Sequence, residues 1–123
     1  MIEYKFELPF PVPKKNSRVT NRKTGRSFPN KRYTAWHKLA TNVLQFCTTP
    51  LEPIQACLIK IEFYAPDKRK RDLTNFAESI NDLLADNGII EDDNWYIVPI
   101  VHLYYRGVNK ENPSAIVTLE LLD

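Results

Sequence analysis

Two charged clusters in the middle of this chain have the composition of a site that acts on a phosphodiester. In the first, Asp67–Asp72, four consecutive cations stand between two aspartates, and the second is the acidic run Glu91–Asp93. Lysine and arginine neutralise the phosphates of a polyanion, whereas carboxylate oxygens are the ligands that Mg²⁺ prefers. Hydrolysis of a nucleic-acid phosphodiester uses both features, so the two clusters together predict a metal-dependent nuclease.

A second basic segment precedes these clusters. Between Pro11 and Tyr33 the chain has no acidic residue and carries eight cations: Lys14, Lys15, Arg18, Arg22, Lys23, Arg26, Lys31 and Arg32. The net charge of the whole chain is only +2, so its charge is polarised along the sequence rather than uniformly basic. A solvated loop without a partner is one interpretation of this segment. The presence of a second basic run favours nucleic-acid binding.

The length and composition predict one globular unit, residues 1–123. With 123 residues and 43% apolar content, the chain can bury a single core without metal or disulfide support. Cys47 and Cys57 lack CxxC spacing and are expected to be buried thiols in a reducing compartment. No apolar run has the length of a membrane span and the first residues lack a signal-peptide pattern, so we expect a cytoplasmic protein with no membrane partner.

Hydrophobic periodicity predicts the elements that position the charged clusters. Strict alternation from Ile2 to Leu8 is typical of a half-buried strand. The prolines that follow it end the strand and open a basic loop, residues 9–32. Spacings of three and four predict a helix from about Tyr33 to Cys47, and alternation returns from Ala56 to Tyr64.

The second half of the chain predicts one more helix and two strands. The helix begins near Asp72, whose carboxylate can accept bonds from free backbone amides, and it ends at Asn87-Gly88. Strands follow at about Tyr96–Tyr105 and Ala115–Leu122. The predicted order is β-α-β-α-β-β, which indicates an α+β fold with a small mixed sheet and two main helices.

The two clusters form one site only if the fold brings them together. Asp72 stands where the second strand gives way to the helix, and Asp92 and Asp93 precede the next strand. We expect them to converge if that strand adds beside the second one. Taken singly, Asp72 is adequately explained as a helix cap and Glu91–Asp93 as a solvated turn; together, beside four cations, they favour a metal site.

At this point the chain resembles the RusA family of Holliday-junction resolvases. The similarity extends over nearly the whole chain and is carried by Leu8-Pro9-Phe10-Pro11, Asn16, the run from Pro66 to Leu73, Asn75, Asp82-Leu83-Leu84, Gly88 and Asp92-Asp93. It implies a homodimeric endodeoxyribonuclease that uses Mg²⁺, or Mn²⁺ in its place, to resolve four-way DNA junctions by paired symmetric nicks in recombination or repair. Asp72 and Asp93 match the family's metal-binding aspartates, Asp92 the neighbouring acid, and Arg71 a basic residue of the same motif.

The chain departs from this family at two positions. The family pattern is Asp-Leu-Asp-Asn followed by a lysine three residues later, where this chain has Thr74 in place of the second aspartate and Glu78 in place of the lysine. We hypothesise that Glu78 supplies the missing catalytic and metal-binding carboxylate, and that Lys68 or Lys70 replaces the lysine. The alternative is a catalytically weak or inactive module that still binds branched DNA.

The predicted DNA contacts come from both basic segments. They are Lys68, Arg69, Lys70, Arg71, Lys14, Lys15, Asn16 and Arg18. Phe10, Tyr33 and Trp36 could stack on an unpaired base at the branch point, although core packing is the simpler explanation for each of them. Because phosphate contacts carry no information on sequence or sugar, a general structure-selective nuclease, or one directed at RNA, remains an alternative.

Overall fold

The strand and helix bounds follow the predicted order, with two short strands added in the basic loop. A computed structural model describes residues 2–14, 18–20, 23–25, 27–29 and 31–122, with only the backbone described at 18–20 and 27–29. The elements are β1 Glu3–Pro9, β2 Arg18–Thr20, β3 Ser27–Pro29, α1 Lys31–Leu44, β4 Cys57–Ala65, α2 Leu73–Asp86, β5 Ile100–Val108 and β6 Ser114–Leu121.

Four strands form one mixed sheet in the spatial order β1-β6-β4-β5. β6 pairs antiparallel with both β1 and β4, whereas β4 and β5 run parallel. The register aligns Ile61 of β4 with Val117 of β6 and with Leu103 of β5. Since side chains alternate along each strand, these residues share the face that the helices cover. The α+β class and the mixed sheet predicted from the sequence are confirmed.

The core lies between that face of the sheet and the two helices. The inward residues of β4 are buried from Cys57 to Ala65 at every second position, and burial raises the pKa of the Cys57 thiol to about 11. On α1, Tyr33 and Trp36 are each only 5% exposed, and the indole Nε1 of Trp36 donates to the Pro9 carbonyl at 2.9 Å. Core packing, rather than base stacking, therefore explains both aromatic residues.

Two boundary predictions and one burial prediction need correction. The loop of residues 9–32 contains the antiparallel pair β2 and β3, which no hydrophobic alternation announces. β5 begins at Ile100, not near Tyr96, because Asn94 closes a turn by accepting backbone bonds from Ile97 and Val98. The spacing of three and four that predicts α1 also places Leu39 beside Trp36 and Val43 in its apolar stripe, but Leu39 is 54% exposed, because α1 turns Trp36, Ala40 and Leu44 inward.

The connection from α2 to β5 decides where the acidic run lies. After Asn87 caps α2 and Gly88 adopts a left-handed φ of 69°, the Ile54 N–H donates to the Ile89 carbonyl at 2.9 Å, and the Cys57 N–H donates to the Ile97 carbonyl at 2.8 Å. The whole segment therefore lies near the start of β4. None of the described helices is long and apolar enough to cross a membrane.

Candidate active site and nucleic-acid interface

Asp72 caps the N-terminus of α2, as the sequence predicts. Its Oδ1 accepts the Thr74 backbone N–H at 3.1 Å and the Thr74 hydroxyl at 2.8 Å. The side chain is exposed, and its second oxygen, Oδ2, has no hydrogen bond within the described residues. Thr74 thus supports the orientation of Asp72 as a hydrogen-bond donor, whereas an aspartate in its place would add a second carboxylate.

The basic run next to Asp72 divides into one paired and three unpaired cations. The Arg71 guanidinium donates two bonds to the Asp67 carboxylate, at 2.8 and 3.1 Å. The Arg71 bonds, helped by the Arg69 backbone N–H, lower the pKa of Asp67 to about 2, so this pair remains ionised at neutral pH. Lys68, Arg69 and Lys70 are exposed and form no ion pair with any described residue, which leaves them available for phosphates.

The acidic run forms a tight turn in which two neighbouring carboxylates differ. Asp92 accepts the backbone N–H of Asp93 at 2.7 Å and the side-chain amide of Asn94 at 3.2 Å, and these bonds hold the Asp92 pKa below its ordinary value. Partial desolvation, the bond shared with Asp92 and the charge of Asp82 raise the Asp93 pKa. The ionised Asp93 carboxylate is therefore disfavoured, first by partial burial and then by its acidic neighbours, and a bound cation would offset both effects.

Asp82 carries part of the family resemblance but is absent from the predicted site residues, although the structure places its charge near Asp93. It acts on Asp93 through its charge, and its carboxylate accepts Lys14 Nζ at 3.1 Å. Lys14 is tied to α2 a second time, because its backbone N–H donates to the Ser79 hydroxyl at 3.0 Å. The available signal was the spacing of Glu78 and Asp82, which puts both carboxylates on one face of α2.

The charge on this face of α2 is strongly negative. The Tyr33 hydroxyl lies beside it, and burial first, then the charges of Asp82, Asp86 and Glu78, raise the Tyr33 pKa to about 12. Glu78 itself is exposed and forms no ion pair with a described residue. On this face Lys14 pairs with Asp82, and His37 Nε2 lies 2.9 Å from Asp86 Oδ2. Neither Lys68 nor Lys70 pairs with a described carboxylate.

The expected convergence of Asp72, Glu78, Asp92 and Asp93 is not found in one copy of the chain. In the part of the chain that the structure describes, no three His, Cys, Asp or Glu side chains meet closely enough to hold a metal ion. The physical reason is strand direction. β5 does add beside β4, but in parallel, so the segment before β5 lies at the start of β4 while Asp72 follows its end.

The separation is set by the length of these elements. β4 has nine residues, which span about 30 Å at a rise of about 3.3 Å each. Asp82 lies ten positions beyond Asp72, which is about 15 Å of helix rise. Asp93 therefore faces the second half of α2 and not its beginning.

Two of the predicted DNA contacts cannot be placed and one is placed only in part. Lys15 and Asn16 lie outside the described residues, and Arg18 is described as backbone within β2. Their role stays a prediction. Lys14 is half-exposed in its ion pair, so it keeps surface through which a phosphate could compete for it.

Comparison with known proteins agrees with this combination of fold and charge. The family model of endodeoxyribonuclease RusA matches residues 9–120. The chain is also 34% identical, over 86 residues, to the crossover junction endodeoxyribonuclease RusA of Aquifex aeolicus (strain VF5). That match covers 68% of this chain and 66% of the relative, and the family match covers both charged clusters. The chain belongs to the RusA endodeoxyribonuclease family.

Proposed function

We propose that this protein is an endodeoxyribonuclease that resolves four-way DNA junctions by paired symmetric nicks and depends on Mg²⁺ or Mn²⁺. The family membership supports the reaction class. The observation that carries the proposal is the run of unpaired cations fixed immediately before Asp72, because it would hold a backbone phosphate beside an exposed carboxylate.

The chemistry of the donors fits a hard divalent cation, although their arrangement in one copy does not. Asp72, Glu78, Asp92 and Asp93 offer carboxylate oxygens, which Mg²⁺ prefers, but Asp72 and Asp93 lie toward opposite ends of α2. A complete site needs a second carboxylate group near the start of α2. A second copy of the chain can provide it.

The free edge of β5 suggests how two copies would associate. β5 ends the sheet, and near its beginning it exposes two aliphatic side chains, Ile100 and Val101. An open apolar edge strand readily pairs with another strand, and closed two-fold dimers are the commonest oligomers. We propose that β5 pairs antiparallel with its copy.

Antiparallel pairing would join the two halves of the site. A two-fold axis reverses strand direction, so the beginning of the partner's β5 would lie beside the end of this β5. The acidic run that precedes the partner's β5 would then approach the start of α2. In this arrangement Asp72 and Glu78 of one chain and Asp92 and Asp93 of the partner subunit form each site, and the dimer carries two.

The proposed roles of the residues follow from this arrangement. The four carboxylates would hold the cation, which polarises the phosphate when bound. Lys68, Arg69 and Lys70 would neutralise the phosphates on either side of the cleaved bond. Thr74 would keep Asp72 oriented through its hydroxyl, and Arg71 would be held in place by Asp67. Two equivalent sites match the two strands that a resolvase nicks.

A catalytically silent DNA-binding module is the second candidate. It is favoured by the two bonds from Thr74 that engage Oδ1 of Asp72, since they leave Asp72 with one open oxygen and no adjacent carboxylate. A general structure-selective nuclease differs from both in its substrate range. Phosphate contacts alone do not separate these activities.

One cleavage experiment distinguishes the candidates. A synthetic four-way junction, labelled on each strand in turn, is incubated with the protein in Mg²⁺ and in EDTA. We expect nicks at symmetric positions on two opposing strands, only with metal. Binding without nicks would leave the silent module, and equal cutting of flap, linear duplex or RNA would establish a general nuclease.

The proposed dimer has its own test with a matched control. Val101→Glu places a charge on the exposed edge of β5. The control, Ile2→Glu, places the same charge on an exposed apolar residue just before β1, at the other edge of the sheet. In analytical ultracentrifugation we expect Val101→Glu to shift the dimer to monomer and to abolish cutting. Unchanged mass and cutting in Val101→Glu would exclude β5 as the interface.

A further inference from the structure

A pocket of about 360 Å³ lies between the end of β4 and the start of α2. Pockets that bind small molecules usually have volumes of roughly 300–1,000 Å³. Four aromatic rings line its apolar part, namely Phe10, Phe63, Phe76 and Tyr105, and the basic run Lys68–Arg71 forms its rim. The combination of a ring-lined interior and a cationic rim differs from the acidic face on the second half of α2.

The aromatic rings have distinct positions in the pocket. Phe63 and Phe76 are buried and form the floor. The Phe10 ring lies 5.3 Å from Phe76 and 6.3 Å from Phe63, centroid to centroid. Tyr105 is the neighbour of Phe63 across the parallel strand pair and is 58% exposed, so it forms an accessible side wall on which a flat ring can stack.

The rim combines one fixed cation with three that are unpaired. Asp67 holds the Arg71 guanidinium by two hydrogen bonds. The central carbon of that guanidinium lies 5.4 Å from the Phe10 ring centroid. Lys68, Arg69 and Lys70 form no ion pair with any described residue. A complementary ligand therefore has a flat apolar body and an anionic group attached to it, which is the chemistry of a nucleotide unit.

We propose that this pocket holds one base unstacked from DNA at the branch point, with the adjoining phosphates on the basic run. The choice of DNA rests on the proposed function. A base is removed from its stack most cheaply where the duplex is already interrupted, and aromatic stacking accepts every base because each has a π-face. The pocket would thus select branched over linear DNA without reading sequence.

The test compares two tyrosines on the same strand. Tyr105→Ala removes the pocket wall, whereas Tyr104→Ala removes an exposed tyrosine on the opposite face of the sheet, where it lies 4.3 Å from the Arg106 guanidinium. Junction affinity is measured by fluorescence anisotropy in EDTA, so that cutting plays no part. The substrates are an intact four-way junction and junctions that carry an abasic site at one branch-point position at a time.

We expect Tyr105→Ala to weaken binding of the intact junction at least tenfold, and Tyr104→Ala to change it less than twofold. One abasic junction should bind wild-type protein as weakly as Tyr105→Ala binds the intact one, and Tyr105→Ala should lose nothing further on it. Equal affinities of the two variants would overturn the proposal. An equal loss on every abasic junction would also overturn it, because the contact would then not involve a base.

Two further outcomes separate this proposal from the proposed function. If Tyr105→Ala changed the oligomeric mass while Tyr104→Ala did not, the pocket would belong to the subunit interface, which contradicts the proposal. If Tyr105→Ala weakens junction binding tenfold but wild-type protein makes no nick in Mg²⁺, the nuclease function is excluded and the pocket proposal is supported. If wild-type protein nicks the junction but Tyr105→Ala binds it as tightly as wild type, the nuclease function is supported and the pocket proposal is excluded.

Discussion

The two ends of α2 present opposite electrostatic environments. At its beginning, three unpaired cations and an aromatic pocket lie next to Asp72, the carboxylate that caps the helix. In its second half, Asp82 faces Asp93, and Lys14 pairs with Asp82. The first end suits an anion and the second suits a cation. A phosphodiesterase needs both functions at one place, and the comparison indicates that one copy of this chain keeps them apart.

The largest expected effect comes from removing a carboxylate at either end. Asp72→Asn or Asp93→Asn should lower kcat roughly a thousandfold, which corresponds to about 4 kcal/mol, because a metal ligand loses its charge without losing volume. Asparagine also caps helices well, so the thermal stability of Asp72→Asn should match that of wild type. Junction affinity in EDTA should be unchanged or higher. Full turnover in either variant would remove that residue from the site.

A smaller loss of cleavage rate is expected from replacing Glu78, in the middle of α2. If Glu78 supplies the carboxylate absent at Thr74, Glu78→Gln should lower kcat at least tenfold, or about 1.4 kcal/mol, with junction affinity maintained. The control is Glu111→Gln, an exposed glutamate in the turn before β6. Single-turnover cleavage at saturating protein measures the rate. Equal rates in the two variants would make Glu78 an ordinary solvated helix residue.

The basic run at the beginning of α2 should contribute to the salt dependence of DNA binding. Replacing Lys68 and Lys70 together by alanine should reduce the slope of log K against log[salt] by roughly 1.8, since each phosphate contact contributes about 0.9 on B-DNA. Lys38→Ala on the exposed surface of α1 is the control. Anisotropy titrations at several salt concentrations give the slope. A slope equal to that of the control would place the basic run away from DNA.

The smallest effect concerns the turn that sends the chain from α2 to the acidic run. Gly88 has a φ of 69°, which costs an L-residue with a side chain roughly 1–2 kcal/mol. No described atom lies within 4 Å of a Cβ built there, so Gly88→Ala should lose about that much stability in urea unfolding and keep its kcat. A large loss of kcat with stability maintained would contradict this expectation, and would show that the Gly88 turn positions the acidic run for cleavage.

The sequence predicted the local structure well and the relation between distant elements less well. Alternation in β1 and β4, the Asp72 cap and the Gly88 turn each depend on a few adjacent residues, and all are confirmed. The hypothesis that Asp72 and Asp93 converge required the direction of β5, which periodicity does not contain. Nor does periodicity reveal that Asp82 acts on Asp93, because that interaction joins the helix to a turn beyond its end.

The surroundings of the aromatic residues also depend on contacts between distant elements, which the sequence does not reveal. Phe10, Tyr33 and Trp36 are all aromatic residues near the basic loop, yet α1 buries two of them while Phe10 lines the pocket. Tyr105 gave no signal at all, since its role depends on the register of β5 against Phe63. Side-chain type alone could not separate a stacking surface from a core.

The most direct test of the shared site is complementation between two inactive variants. Asp72→Asn and Asp93→Asn are purified separately, mixed under conditions that exchange subunits, and assayed for nicking of a four-way junction. If each site combines Asp72 of one chain with Asp93 of the partner subunit, the mixed dimer has one site with both aspartates, and the mixture should nick single strands at a substantial fraction of the wild-type rate. No activity beyond that of the separate variants, with subunit exchange verified by mass, would show that Asp72 and Asp93 do not form a site across the two subunits.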